Sequence, residues 1–361
     1  MKPCDSVWNG THALCGPALL IPGLGKCGTN AIANYLALHP RVKLTNQSEV
    51  MFDPRDVPVD ALVRQHNPGV GPDDPYVWVM KHPGLENRHA SVLARRLRQA
   101  YPSASVALAL CDPAQRAFRF FIYFLEHELR LHGQRATFTK FAQITLRRRY
   151  NATVEELYSS IIGMRTNCVR SEPAKRLIAA LRNDGYVIPP NWLLEDSWDP
   201  LGHGVCDPIL AKDSRLDRWV EDWLDAGYVV NETLAAVFME SWSTQGQPMI
   251  RRLLHIMHLP ESEYPWERAA VIFTQRVYDS EARRRYFKKG APDMDVARPL
   301  MHHQCGSMTR LLGERPPWCR QLHGRLGVDV GVASSGRRNE RGARRRRSDS
   351  ASEHEELRTA Q

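Results

Sequence analysis

The segment ALLIPGLGKCGTNAIANYLALHP, residues 18–40, constrains this chain more than any other. An apolar run of strand length enters a glycine-rich turn carrying one lysine, and a helical pattern then runs to His39-Pro40. A strand feeding a helix in this way predicts a parallel α/β unit. Unpaired amides and the dipole at the helix start favour negative charge, so a phosphate-like anion is the expected occupant.

The alternation continues downstream. ALLI reads as a strand, Asn30 to about Leu38 as a helix, RVKL and YVWVM as strands, His89–Ala100 as a helix, SVALAL as a strand and Pro113 to about Leu131 as a helix. The expected fold is α/β, a central parallel sheet flanked by helices, with a strand-loop-helix resembling a P-loop. Residues 153–259 read as mainly helical, with one short strand candidate, YVV, at 228–230. Nothing before Gly324 has the composition of a linker, which sets an N-terminal segment at 1–13, one domain at 14–323 and a tail at 324–361.

The tail carries seven Arg and one Glu between Arg337 and Arg347, followed by the acidic, Ser-rich SDSASEHEEL. With almost no apolar residues, the stretch from Arg337 is expected to be disordered and solvated, with polyanion binding or nuclear localisation as the alternative. Residues 337–361 hold eight Arg against five acids, so most of the net charge of +9 lies on the rest of the chain. That suits an anionic ligand; no specific nucleic acid is expected.

No apolar run approaches the ~18 residues that span a bilayer, and no signal peptide is readable after Met1. Membrane contact is therefore expected only if an anchor precedes this sequence. Sequons at Asn9, Asn46, Asn151 and Asn231, together with eight cysteines, lean towards a secretory lumen.

A nucleotide-triphosphate P-loop requires Gly, four residues, then Gly-Lys-Ser/Thr. Here Gly25-Lys26 is followed by Cys27, and Leu20 stands where the first glycine belongs. The register fails. Lys26-Cys27-Gly28-Thr29-Asn30 instead resembles the Lys-x-Gly-Thr-Thr loop of sulfotransferases that use 3′-phosphoadenosine 5′-phosphosulfate (PAPS), with Asn for the second Thr.

Further blocks resemble that family in its order. QSEVMFD (47–53) is similar to the Lys-Glu-x-x-Phe-Phe segment of the Golgi enzymes acting on heparan-type glycans. VMKHPGL (79–85) resembles the segment that closes over the acceptor, without its Tyr. ALCDPAQRAFRFF (109–121) resembles the 3′-phosphate segment, LDRWVEDWLDAGYVVNETL (216–234) the stretch before the last strand, and GSMTRLLGERPPW (306–318) the ending of many members.

The resemblance implies sulfuryl transfer from PAPS to a carbohydrate hydroxyl in the Golgi lumen, without a metal. It implies Glu49 as catalytic base, Lys26 as charge stabiliser, and Gly25, Lys26, Cys27, Gly28, Thr29, Asn30, Cys111, Arg116 and Arg119 as the cofactor site. Lys81 and His82 would face the acceptor, His82 being a competing base candidate.

Cys111 and Arg119 depart from the family, which places Arg and Ser there. Either the positive charge has moved from the strand end to the helix, or the 3′-phosphate site is lost and Arg119 faces solvent. A catalytically inactive member that binds a nucleotide or sulfated glycan is the alternative function. The resemblance also pairs Cys305 with Cys319; Cys4 with Cys15 and Cys168 with Cys206 are further pairings, leaving Cys27 and Cys111 as free thiols. MHHQC (301–305) lacks the separated ligand pairs of structural zinc and reads as a loop.

Overall fold

The computed structural model describes residues 4–23, 27–45, 58–83, 90–112, 115–116, 118–119, 122, 130–132, 134–135, 141, 149–151, 153, 157, 172–187, 216–274 and 298–319. The chain separates into two units, Met1–Leu326 and Gly327–Gln361. The second, with the Arg-rich tail, lies outside the described residues, as do Gly25, Lys26, Glu49, Cys168 and Cys206.

A hairpin opens the fold, β1 (Ser6–Trp8) pairing antiparallel with β2 (Ala13–Cys15). A Cys4–Cys15 disulfide closes its base, as expected. The Asp5 carboxylate accepts hydrogen bonds from the Ser103 backbone N–H and hydroxyl, tying the hairpin to the main sheet.

That sheet contains β3 (Leu19–Gly23), β4 (Val42–Leu44), β5 (Val77–Pro83), β6 (Ser105–Leu110) and β10 (Leu234–Phe238). Its order is β10-β6-β3-β5-β4, and every pairing is parallel. β3, β6 and β10 are buried at every position. Burial on both faces explains why they read as unbroken apolar runs rather than alternating ones. The flanking helices include α1 (Thr29–Leu36), α2 (Val59–His66), α3 (Ala90–Ala100), α4 (Glu172–Asn183), α5 (Leu216–Asp225), α6 (Trp242–Ile256), α7 (Trp266–Thr274) and α8 (Arg298–Leu312). In one group α3 packs on α5 and α5 on α8; in another α1 packs on α6 and α6 on α7.

The chain leaves β3 through α1 towards the β4 edge, returns to β5, then crosses through α3 to β6 on the other side of β3. β3 and β6 are therefore neighbours whose outgoing connections diverge. Ligands of open α/β sheets bind in the crevice at the carboxyl ends of such strands.

Four sequence expectations are corrected. The last strand of the sheet is Leu234–Phe238, not 228–230; Val230 makes an isolated bridge with Leu234, and Asn231 turns the chain at φ 65°. LAAVF, short, apolar and alanine-rich, carries no period that separates a buried strand from a buried helix. The helix from Pro113 does not reach Leu131. Arg130–Leu131 is β7, which pairs with β8 (Gln134–Arg135) and β9 (Tyr186–Val187), and His132 turns at φ 49° in the two-residue connection.

Residues 301–305 are helical, not a loop, because Cys305, Met308 and Leu312 recur at helical spacing and all bury in the core. The helix stops at Gly313, whose φ of 70° suits the left-handed position after a C-terminus. Finally, Cys27 and Cys111 are not free thiols but a disulfide, and Cys305–Cys319 forms as expected. Sequence separations of 11, 84 and 14 for the three bridges set their weight. Chain entropy assigns about 4–5 kcal/mol to the longest loop and about 3 kcal/mol to each short one.

Candidate nucleotide-anion site

The crevice is built from four segments that reach the same level of the sheet. Gly23 of β3 pairs with Pro83 of β5 and Ala109 of β6, and Leu110 pairs with Phe238 of β10. Past these ends come Cys27-Gly28, Cys111-Asp112 and Met239-Glu240.

Gly28 caps α1 with φ 79°, in the left-handed region. A Cβ here would lie 2.3 Å from Cε of Met239 and 2.9 Å from its Sδ, so the loop and the turn after β10 are closely packed. Gly23 is similarly confined, a Cβ there falling 2.0 Å from Cγ2 of Thr29. The first turn of α1 contains no acidic residue, and its N-cap, Gly28, has no side chain with which to bond the helix amides. Its amides thus present partial positive charge to the crevice.

Lys81 is only 5% exposed, pairs in register with Ile21, and donates a hydrogen bond from Nζ to Oδ1 of Asn30. Lysine offers donors alone, so the contact fixes which end of the Asn30 amide faces it and leaves the NH2 end directed elsewhere. Asn30 therefore orients a buried cation at the helix start. The structure brings together these two residues, which the sequence reading assigns to cofactor and acceptor separately. His82, also buried, follows Lys81 in the strand and so projects from the opposite face.

On the other side, the Cys27–Cys111 disulfide spans the gap between loop and strand end, with a Cα–Cα distance of 5.4 Å. Both half-cystines are completely buried. A sulfur spent in a disulfide offers no thiolate and no charge. Cations come instead from the helix that follows. The Arg116 N–H bonds to the Asp112 carbonyl at 2.9 Å, and its side chain is 2% exposed. Arg119 is half-buried and close enough to Glu240 to favour that residue's ionised form.

Sequence reasoning missed Glu240. It follows directly on β10, and misplacing that strand at 228–230 hid it. Oε1 accepts the Asp112 backbone N–H at 2.8 Å, while Oε2 is buried without a protein hydrogen bond among the described residues. Burial pushes its pKa up, opposed by the backbone hydrogen bond from Asp112 and by the charge of Arg119. A carboxyl raised on folding stabilises the protein fully below its unfolded pKa, and that contribution is lost as pH rises through the folded value. Glu240→Gln, which keeps the acceptor oxygen, is therefore expected to raise stability at neutral and higher pH. The gain should vanish at about pH 4 and below, as denaturant midpoints across pH would record.

No family model and no curated protein sequence matches the chain. Among solved structures it is similar to a sulfotransferase from Alicyclobacillus acidocaldarius, at 14% identity and a TM-score of 0.48 over 85% of this chain and 100% of that one. It is also similar to mouse sulfotransferase SULT7A1 complexed with PAP, at 10% identity and a TM-score of 0.36 over 89% and 99% of the two chains.

Proposed function

We propose that this chain is a PAPS-dependent sulfotransferase of the Golgi type, acting on a carbohydrate hydroxyl. One observation carries the reading: a buried Lys81, oriented by Asn30, at the uncapped start of α1 beside the divergence of β3 and β6. A buried cation at a helix N-terminus in such a crevice is stabilised by an anion.

PAPS would supply the sulfuryl group. Gly28, Thr29, Asn30 and Lys81 would hold its 5′ end, and Arg116 and Arg119 its 3′-phosphate in place of a guanidinium at position 111. Arg119 beside Glu240 supports the relocation of charge to the helix. Glu49 would take the proton of the acceptor hydroxyl, and Lys26 with the loop amides would offset charge growing on the departing oxygen. Positioning and electrostatics then carry the rate, as in phosphoryl transfer. The three disulfides among the described residues, and the exposed turns holding Asn151 and Asn231, support a lumenal setting.

Radiolabelled PAPS incubated with desulfated heparan-type glycans tests the reading. Label should pass to the glycan with the parent protein and not with Glu49→Gln, whose 3′,5′-adenosine diphosphate binding should persist. A fully active Glu49→Gln removes Glu49 from the role. The loss of a cation at Cys111 favours a second reading, an inactive member that binds a nucleotide or sulfated glycan; binding without transfer by the parent protein would select it.

A further inference from the structure

We propose that the Cys27–Cys111 disulfide is the positioning element of the nucleotide site, a neutral covalent strut that holds the anion-facing first turn of α1 against the end of β6. The inference rests on reading the crevice as an anion site, and concerns what keeps that site in shape.

Cys27 immediately precedes the left-handed Gly28 cap, and Cys111 is the first residue after β6. The bond therefore joins the start of α1, the helix that follows β3, to the end of the adjacent parallel strand β6. Cys4–Cys15 and Cys305–Cys319 are different in kind. Each closes a loop of 11 or 14 residues, one at a hairpin base and one around a helix end. Cys27–Cys111 links segments 84 residues apart at the carboxyl end of a sheet whose strands β3 and β6 are buried throughout.

The surrounding contacts point to the same role. Met239 closes over Gly28 from the β10 side, and Glu240 in the same turn holds the Asp112 N–H. The start of α1 and the start of the helix carrying Arg116 and Arg119 are thus fixed to one turn, and the disulfide ties the two to each other. With a neutral link at this point, the cations of the site stand on either side of it: Lys81 on the β5 side, Arg116 and Arg119 on the helix after β6. Preorganising those two halves before a ligand arrives lowers the ordering cost of binding.

The variant Cys27→Ala/Cys111→Val removes the bond while largely keeping the buried volume. Native-state hydrogen exchange reads the strut without any ligand, and calorimetry with 3′,5′-adenosine diphosphate reads its consequence. Exchange at Ile32 and Ala33, the first amides of α1 that bond within the helix, should rise about tenfold or more beyond any change in the interiors of β3 and β6. Affinity should fall by a similar factor. A merely stabilising bond would instead raise exchange uniformly with the global opening reaction, and that pattern overturns the proposal. Peptide mapping that recovers Cys27 and Cys111 of the secreted parent protein as thiols overturns it without any variant. If the parent protein fails to bind the nucleotide, the functional reading falls, while the exchange data still decide the strut.

Discussion

Valine in place of Gly28 is expected to abolish nucleotide binding and to lower stability by about 2–4 kcal/mol. Two costs add. A φ of 79° is strained for any residue with a Cβ and most of all for a β-branched one. The new atoms would also enter the space held by Met239. The second cost is the softer, because the colliding atoms are the end of a flexible side chain. Adding Met239→Ala should therefore restore little, whereas Gly28→Asn, which tolerates the left-handed conformation, should recover most of the stability. Denaturant unfolding of the three variants separates the terms. Full stability of Gly28→Val would show that the α1 start is not held as described.

Lys81→Met is the second large effect, and it divides stability from binding. Methionine matches the length of the lysine stem and removes a buried charge, so desolvation of that charge is no longer a cost. Asn30 loses its partner, a penalty of about 1 kcal/mol. The unliganded variant is expected to stay within about 1 kcal/mol of the parent, since these changes oppose each other. Affinity for 3′,5′-adenosine diphosphate should nevertheless fall about 100-fold, the loss of one charge-assisted contact in a desolvated site. Thermal unfolding with and without ligand shows both. A variant that binds as tightly as the parent would place Lys81 outside the site; one that fails to fold would make it a structural cation.

Much of the sheet is legible in the amino-acid sequence. ALLI, YVWVM and SVALAL are strands because no charge or proline interrupts them, but β3 runs on through Pro22 and Gly23 and β5 through Lys81, His82 and Pro83, beyond where the apolar runs stop. The periodicity predicts α1 from Asn30 and the helix starts at Thr29, a shift of one residue that capping alone decides. Lys26-Cys27-Gly28-Thr29-Asn30 is expected to open a helix, and its described part does stand at a helix start.

What escapes the sequence depends on partners far apart in the chain. The Cys27–Cys111 bond exists only because β3 and β6 are adjacent, which topology decides and spacing does not. The Lys81–Asn30 contact likewise needs β5 beside β3. Glu240 is hidden by the placement of the last strand, since LAAVF carries no period of its own. The β7–β8–β9 sheet uses two-residue strands, too short for alternation to register.

A calorimetric titration of 3′,5′-adenosine diphosphate into the disulfide-bonded protein, with 5′-adenosine monophosphate as control, decides whether the crevice is a PAPS site. Micromolar binding that requires the 3′-phosphate is expected, held by Arg116 and Arg119 across a neutral disulfide. Equal, weak binding of the two nucleotides would contradict this, because the crevice would then lack a 3′-phosphate subsite.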